Sequence, residues 1–137
     1  KVGMKVYLSL SVGTIGSSEK SDARTLDWIK ELYADGLFQE YQFSINTPMP
    51  GTPLFEEAKN DGSLISDDIG TYNGMGNCVL SYPGYSSEQI MKSFRDFEEF
   101  GALIYRQNME KGVHYSMYDK EWVKHILAIT PISETYK

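Results

Sequence analysis

Cysteine is almost absent from this sequence: Cys78 is the one thiol among 137 residues. A disulfide within the chain is therefore excluded, and a reducing, cytoplasmic setting is the simpler expectation. Basic clusters are missing as well. Thirteen Lys and Arg stand against nineteen Asp and Glu, giving a formal net charge of −6, and no Lys/Arg run offers counterion release a patch to act through. Nucleic acid is not an expected partner. No apolar run approaches the roughly 20 residues of a membrane-spanning helix, and the start has no apolar signal-peptide core, so no membrane span is expected. The chain also opens at Lys1 without an initiator methionine and enters a strand-like pattern within a few residues, which reads as a piece of a longer protein.

What is present is ordinary for a folded domain. Hydrophobic residues make up 41% and charged residues 23%, enough for one core and too little charge for disorder. From Lys5 to Gly13 the chain alternates strictly, with Val6, Leu8, Leu10 and Val12 on one face and Tyr7, Ser9, Ser11 and Gly13 on the other. Ser18 can cap a helix in which Leu26, Ile29, Leu32 and Tyr33 recur until Asp35-Gly36 offers a stop. Tyr41, Phe43 and Ile45 then alternate with Gln42, Ser44 and Asn46 up to the breakers Pro48 and Pro50. Strand, helix, strand predicts a right-handed βαβ unit with parallel strands.

Parallel strands covered on both faces read as continuous apolar runs, whereas these two each keep a polar or small face. The expectation is a partial TIM-like (β/α) barrel, with the aliphatic face turned to helices and Ser9, Ser11, Gln42, Ser44 and Asn46 turned to a ligand cavity. An antiparallel sheet with one solvated face is the alternative on pattern alone.

Thr52-Pro53 opens a short helix through Ala58 that stops near Asp61-Gly62. Residues 63–85 show no period and read as an irregular connection anchored by Ile65, Ile69, Tyr72, Val79 and Tyr82. Ser86 and Gln89 form a capping box ahead of a long helix carrying Ile90, Phe94, Phe97, Gly101 and Ile104, which Gly112 ends. Asp119 starts a last helix with Trp122, Val123, Ile126 and Leu127. The organisation expected is a βαβ region over 1–64, followed over 65–137 by the connection and C-terminal α-helices.

Few residues offer chemistry of their own. His114 and His125 lack metal-ligand spacing, Glu56-Glu57 and Glu98-Glu99 are adjacent residues that point apart on a helix, and Cys78 has no basic neighbour. Two strand ends stand out instead. Gly13-Thr14-Ile15-Gly16 closes the first strand, where glycines allow close backbone approach to a ligand or simply make a tight turn. The rigid run from Asn46 to Pro53 occupies the equivalent end of the second strand, where it can form a ligand wall.

These ends carry a family resemblance. The segment VYLSLSVGTIGSSEKSDARTLDWIKEL resembles the fifth strand and following helix of radical S-adenosylmethionine (radical SAM) enzymes, with Gly16-Ser17-Ser18-Glu19 as the helix-capping G-x-x-E. FSINTPMPGTPLFEEAKNDGSL is similar to the sixth strand and its Thr-Pro-x-Pro-Gly-Thr loop in the branch that often carries a cobalamin-binding domain. Thr71-Tyr72-Asn73-Gly74, Ser81-Tyr82-Pro83 and the Ser-x-Glu-x-Ile helix start fit the region after the barrel in that branch. Thr14-Ile15 stands where Leu-Pro is common there, and Asp22 where an apolar helix residue is usual.

The resemblance implies that Ser11, Gly13, Ile15, Gly16, Asn46 and Thr47 lie near SAM. It also implies a parent enzyme with a [4Fe–4S] cluster on a Cys-x3-Cys-x2-Cys loop, generating a 5′-deoxyadenosyl radical that acts on a small-molecule substrate. Cobalamin is a further possible cofactor of that parent, in the manner of oxidative tetrapyrrole cyclases or radical methyltransferases. One cysteine cannot hold such a cluster, so the chain alone is expected to be inactive, to depend on an N-terminal half of its barrel, and to self-associate. A free-standing module that binds a small molecule or another protein is the competing expectation.

Overall fold

A computed structural model describes residues 3–112 and 120–129. The described elements are β1 (Tyr7–Val12), α1 (Glu19–Ala34), β2 (Glu40–Ile45), α2 (Pro53–Asp61), a single 3-10 turn (Ile69–Thr71), α3 (Ser87–Glu110) and α4 (Lys120–Ile129). β1 and β2 pair side by side. The carbonyl of Val6 accepts from Gln39 N at 3.0 Å and that of Val12 from Asn46 N at 2.8 Å, so partner numbers rise together and the pairing is parallel. The antiparallel alternative is thereby excluded, and the chain is mixed α/β with a two-stranded parallel sheet.

Local chemistry sets the helix ends. Ser18 Oγ accepts from Ser21 N at 3.2 Å to cap α1, and Gly36, at φ 66°, turns the chain out while Leu37 N reaches Leu32 O at 3.0 Å. Thr52 caps α2 by accepting from Phe55 N, with Pro53 in the first turn and Gly62 in the left-handed C-cap. At α3, Ser86 N donates to Gln89 Oε1 at 2.8 Å and Gln89 N to Ser86 Oγ at 3.4 Å, the reciprocal pair of a capping box. The expected start of α4 at Asp119, the side chains of Trp122, Val123, Ile126 and Leu127, and His114 lie outside the described residues.

By contact the chain forms two compact units. The unit of residues 1–10, 26–43 and 95–137 is built on aromatics. Tyr33, Phe38, Tyr41, Phe43, Phe97 and Phe100 meet with ring centroids 5.6 to 6.5 Å apart, and the Tyr41 hydroxyl donates to the Phe97 carbonyl. On the other face of the strands, Gln42 Nε2 donates to Ser9 Oγ at 3.1 Å, so these polar side chains do share a side. Glu40 is buried, and buried Asn108 donates through Nδ2 to Gln39 O at 3.2 Å and to Glu40 Oε1 at 3.5 Å.

Gly101 sits inside α3 in this unit. A Cβ there would meet Phe43 Cε1 and the Tyr41 hydroxyl at 3.6 Å, ordinary contact distances, and its φ is not in the left-handed region. Glycine in a helix interior costs about 0.5 to 1 kcal/mol relative to alanine. Gly101→Ala is therefore expected to raise stability by up to that amount, read as a higher urea midpoint with unchanged slope.

The unit of residues 11–25 and 44–94 buries Val12, Ile45, Ala58, Tyr72, Val79, Leu80, Tyr85, Ile90 and Phe94. Its connection is irregular as expected, held by isolated bridges between Leu64 and Leu80 and between Tyr82 and Tyr85. Two expected anchors are corrected here. Ile65 is 52% exposed and Ile69 67% exposed, while Leu80 and Tyr85 take the buried positions instead.

Candidate functional site

All six residues singled out from the sequence, Ser11, Gly13, Ile15, Gly16, Asn46 and Thr47, fall in the unit of residues 11–25 and 44–94. The bond from Asn46 N to Val12 O places the two strand ends side by side. Ser11, Ile15 and Gly16 are exposed, Gly13 is buried, and Asn46 and Thr47 are half-buried. The structure thus gathers the two motif loops at one edge of the sheet, at the C-terminal ends of parallel strands, where open α/β sheets bind ligands.

At the end of β1 the chain turns at Gly13, with φ 68°, and Ser17 N closes the loop on Thr14 O at 3.0 Å. A Cβ on Gly13 would lie 2.7 Å from Ile90 Cγ2, so glycine is required both by conformation and by space. Gly16, at φ 77°, faces open space. Behind this turn Asp22 Oδ2 accepts from Gly13 N at 3.0 Å and from the Tyr85 hydroxyl at 2.8 Å, and that hydroxyl lies 2.9 Å from Ser93 Oγ. Burial, and then the Asp22 carboxylate against the donation from Ser93, keep the Tyr85 phenol protonated far above the usual tyrosine range. Glu19, the acid of G-x-x-E, pairs with Lys92 at 2.5 Å and accepts from Gln89 Nε2 at 3.2 Å; the Lys92 hydrogen bond and charge hold its carboxyl below the usual range.

At the end of β2, Thr47 Oγ1 donates back to Ile45 O at 3.1 Å, and Ile45 N donates to Gly74 O at 2.7 Å. Gly74 has φ 66°, and a Cβ there would stand 3.3 Å from Ile45 O and 3.5 Å from Thr47 Oγ1. Asn73 Oδ1 shapes this approach by accepting from Met75 N at 3.0 Å and Gly76 N at 3.1 Å. Tyr82 links the two ends. Its hydroxyl lies 3.5 Å from Gly13 O; burial raises its pKa, and the Asn46 side chain opposes the rise.

Asp22, Gly74, Tyr82 and Tyr85 are therefore parts of the site that sequence reasoning did not single out as such. Asp22 had a signal: with Leu26, Ile29 and Tyr33 it follows helical spacing, which places a carboxylate on the buried stripe of α1. The remaining candidates stand apart. Cys78 is half-buried, its Sγ 3.1 Å from Leu80 O, and burial raises its thiol pKa. His125 is exposed. Among the described residues no group of three or more His, Cys, Asp or Glu could hold a metal ion, and no helix is long and apolar enough to cross a membrane. The arrangement offers backbone groups, amides and hydroxyls for binding, with no activated nucleophile among them.

Comparison with family models, with curated proteins and with solved structures returned no match for this chain.

Proposed function

We propose that the chain is the C-terminal part of the catalytic domain of a radical SAM enzyme, from the branch often associated with cobalamin, and that the paired ends of β1 and β2 help to hold SAM. The observation that supports this reading is the bond from Asn46 N to Val12 O, which joins the two loops whose sequences carry the resemblance. In this reading the βαβ unit is part of a partial barrel whose other strands precede Lys1, and the substrate is a small molecule in the manner of tetrapyrrole cyclases or radical methyltransferases.

SAM fits: Gly16 leaves its surroundings open, Ser11 is exposed beside the turn, and Asn46 and Thr47 supply polar groups at the adjoining end. When bound in the parent enzyme, SAM is the source of the 5′-deoxyadenosyl radical. The Gly13 turn, held by Asp22 and packed against Ile90, presents a set backbone shape, and the Tyr82 hydroxyl approaches its carbonyl. The [4Fe–4S] cluster does not fit. Cys78 is one thiol where three are needed, and burial disfavours its thiolate.

Two measurements check the proposal together. Anaerobic reconstitution of the chain alone is expected to give no cluster absorption and no 5′-deoxyadenosine. The gene sequence ahead of Lys1 is expected to encode a Cys-x3-Cys-x2-Cys loop, and the longer protein to yield both signals. A start codon directly before Lys1 with no such loop upstream would overturn the reading in favour of a free-standing binding module.

A further inference from the structure

Asp22 is the one buried charged side chain among the described residues of the unit containing the site, with 7% of its surface exposed. Buried carboxylates are normally paired with a cation, because removing a charge from water is costly. Asp22 forms no ion pair among the described residues; its partners are the neutral donors Gly13 N–H and Tyr85 O–H. Its position in the first turn of α1 lets the helix N-terminus support the charge without cancelling it. The nearest acid on the same turn, Glu19, is already matched by Lys92. One carboxylate is therefore left without a countercharge, directly behind the Gly13 amide at the end of β1.

We propose that Asp22 determines ligand specificity by sign: the uncompensated carboxylate behind Gly13 favours a cationic centre at the paired strand ends over a neutral one of the same shape. This rests on the reading given above, in which the cationic centre is the sulfonium of SAM. A purely architectural Asp22 would hold the Gly13 turn in place and serve charged and neutral ligands equally. One charge acting across a loop, at the effective dielectric of a partly solvated site, is worth roughly threefold to twentyfold in affinity.

The experiment compares SAM with S-adenosylhomocysteine, its neutral thioether counterpart, by NMR titration of the full chain at millimolar ligand. Asp22→Asn removes the charge and keeps an acceptor oxygen; Tyr85→Phe keeps the charge and removes a donor. Asp22→Asn is expected to lower the preference for SAM over the thioether by that factor, and Tyr85→Phe to leave the preference unchanged. Equal weakening of both ligands by Asp22→Asn would overturn the inference and leave the SAM reading standing. Absence of binding of either ligand to the unaltered chain would overturn the reading, and the inference with it. Should Asp22→Asn fail to fold, Asp22→Ser, which also removes the charge and keeps an acceptor oxygen, takes its place: the preference for SAM is expected to fall by the same factor, and an unchanged preference would contradict the inference.

Discussion

Gly13→Val is expected to lower the stability of the chain by about 2 to 4 kcal/mol, combining left-handed backbone strain with overpacking of a filled site. Gly13 holds φ 68°, a region that a β-branched residue adopts only at cost. Space is the second obstacle. A Cβ would stand 2.7 Å from Ile90 Cγ2 and 3.3 Å from two further atoms of the same side chain, and Ile90 is itself fully buried. The two contributions can be separated. In Gly13→Val/Ile90→Ala the clash is gone and the strain remains, so the double variant should lose less stability than the sum of the two single losses. Urea denaturation of the three variants checks this, and strictly additive losses would mean that Ile90 is not the obstacle.

The largest single loss is expected from Phe97→Ala, about 3 to 5 kcal/mol. Phe97 is 1% exposed and its ring lies 6.1 Å from Phe43 and 6.5 Å from Tyr41. Truncation removes a large apolar surface and leaves a cavity lined by aromatics that cannot collapse onto one another. Tyr41→Phe, by contrast, removes only the hydroxyl that donates to the Phe97 carbonyl and should cost about 1 kcal/mol. Thermal or urea unfolding distinguishes the two. A loss at Phe97 no larger than at Tyr41 would contradict the packing described for this unit.

Most of the local structure was legible in the sequence because its causes are local. The alternation of β1 and β2 follows from side-chain direction along a strand, and the caps at Ser18, Thr52 and Ser86 bond to amides within three residues. The exposure of Ile65 and Ile69 is not legible in the sequence because residues 63–85 have no period, and burial there is decided by which side chains the rest of the fold covers. Leu80 wins one place by bridging to Leu64, and Tyr85 another by reaching Asp22, 63 positions away.

The site was half legible for the same reason. Gly13, Gly16, Asn46 and Thr47 lie at strand ends that the pattern itself marks. Tyr82 meets Gly13 across 69 residues, and Gly74 meets Ile45 across 29; no local spacing encodes either approach. Asp22 interrupts an apolar stripe, a signal that is visible in the sequence, but what the carboxylate bonds to is settled only by the fold.

Whether the paired ends of β1 and β2 form part of a SAM site is decided by following the backbone amides of the chain by NMR as SAM is added. Concentration-dependent shifts are expected at residues 11–16 and 46–47, with Gly74 and Tyr82 following because they touch the same loops. Saturating shifts confined to other parts of the chain, or none at millimolar SAM, would contradict such a site.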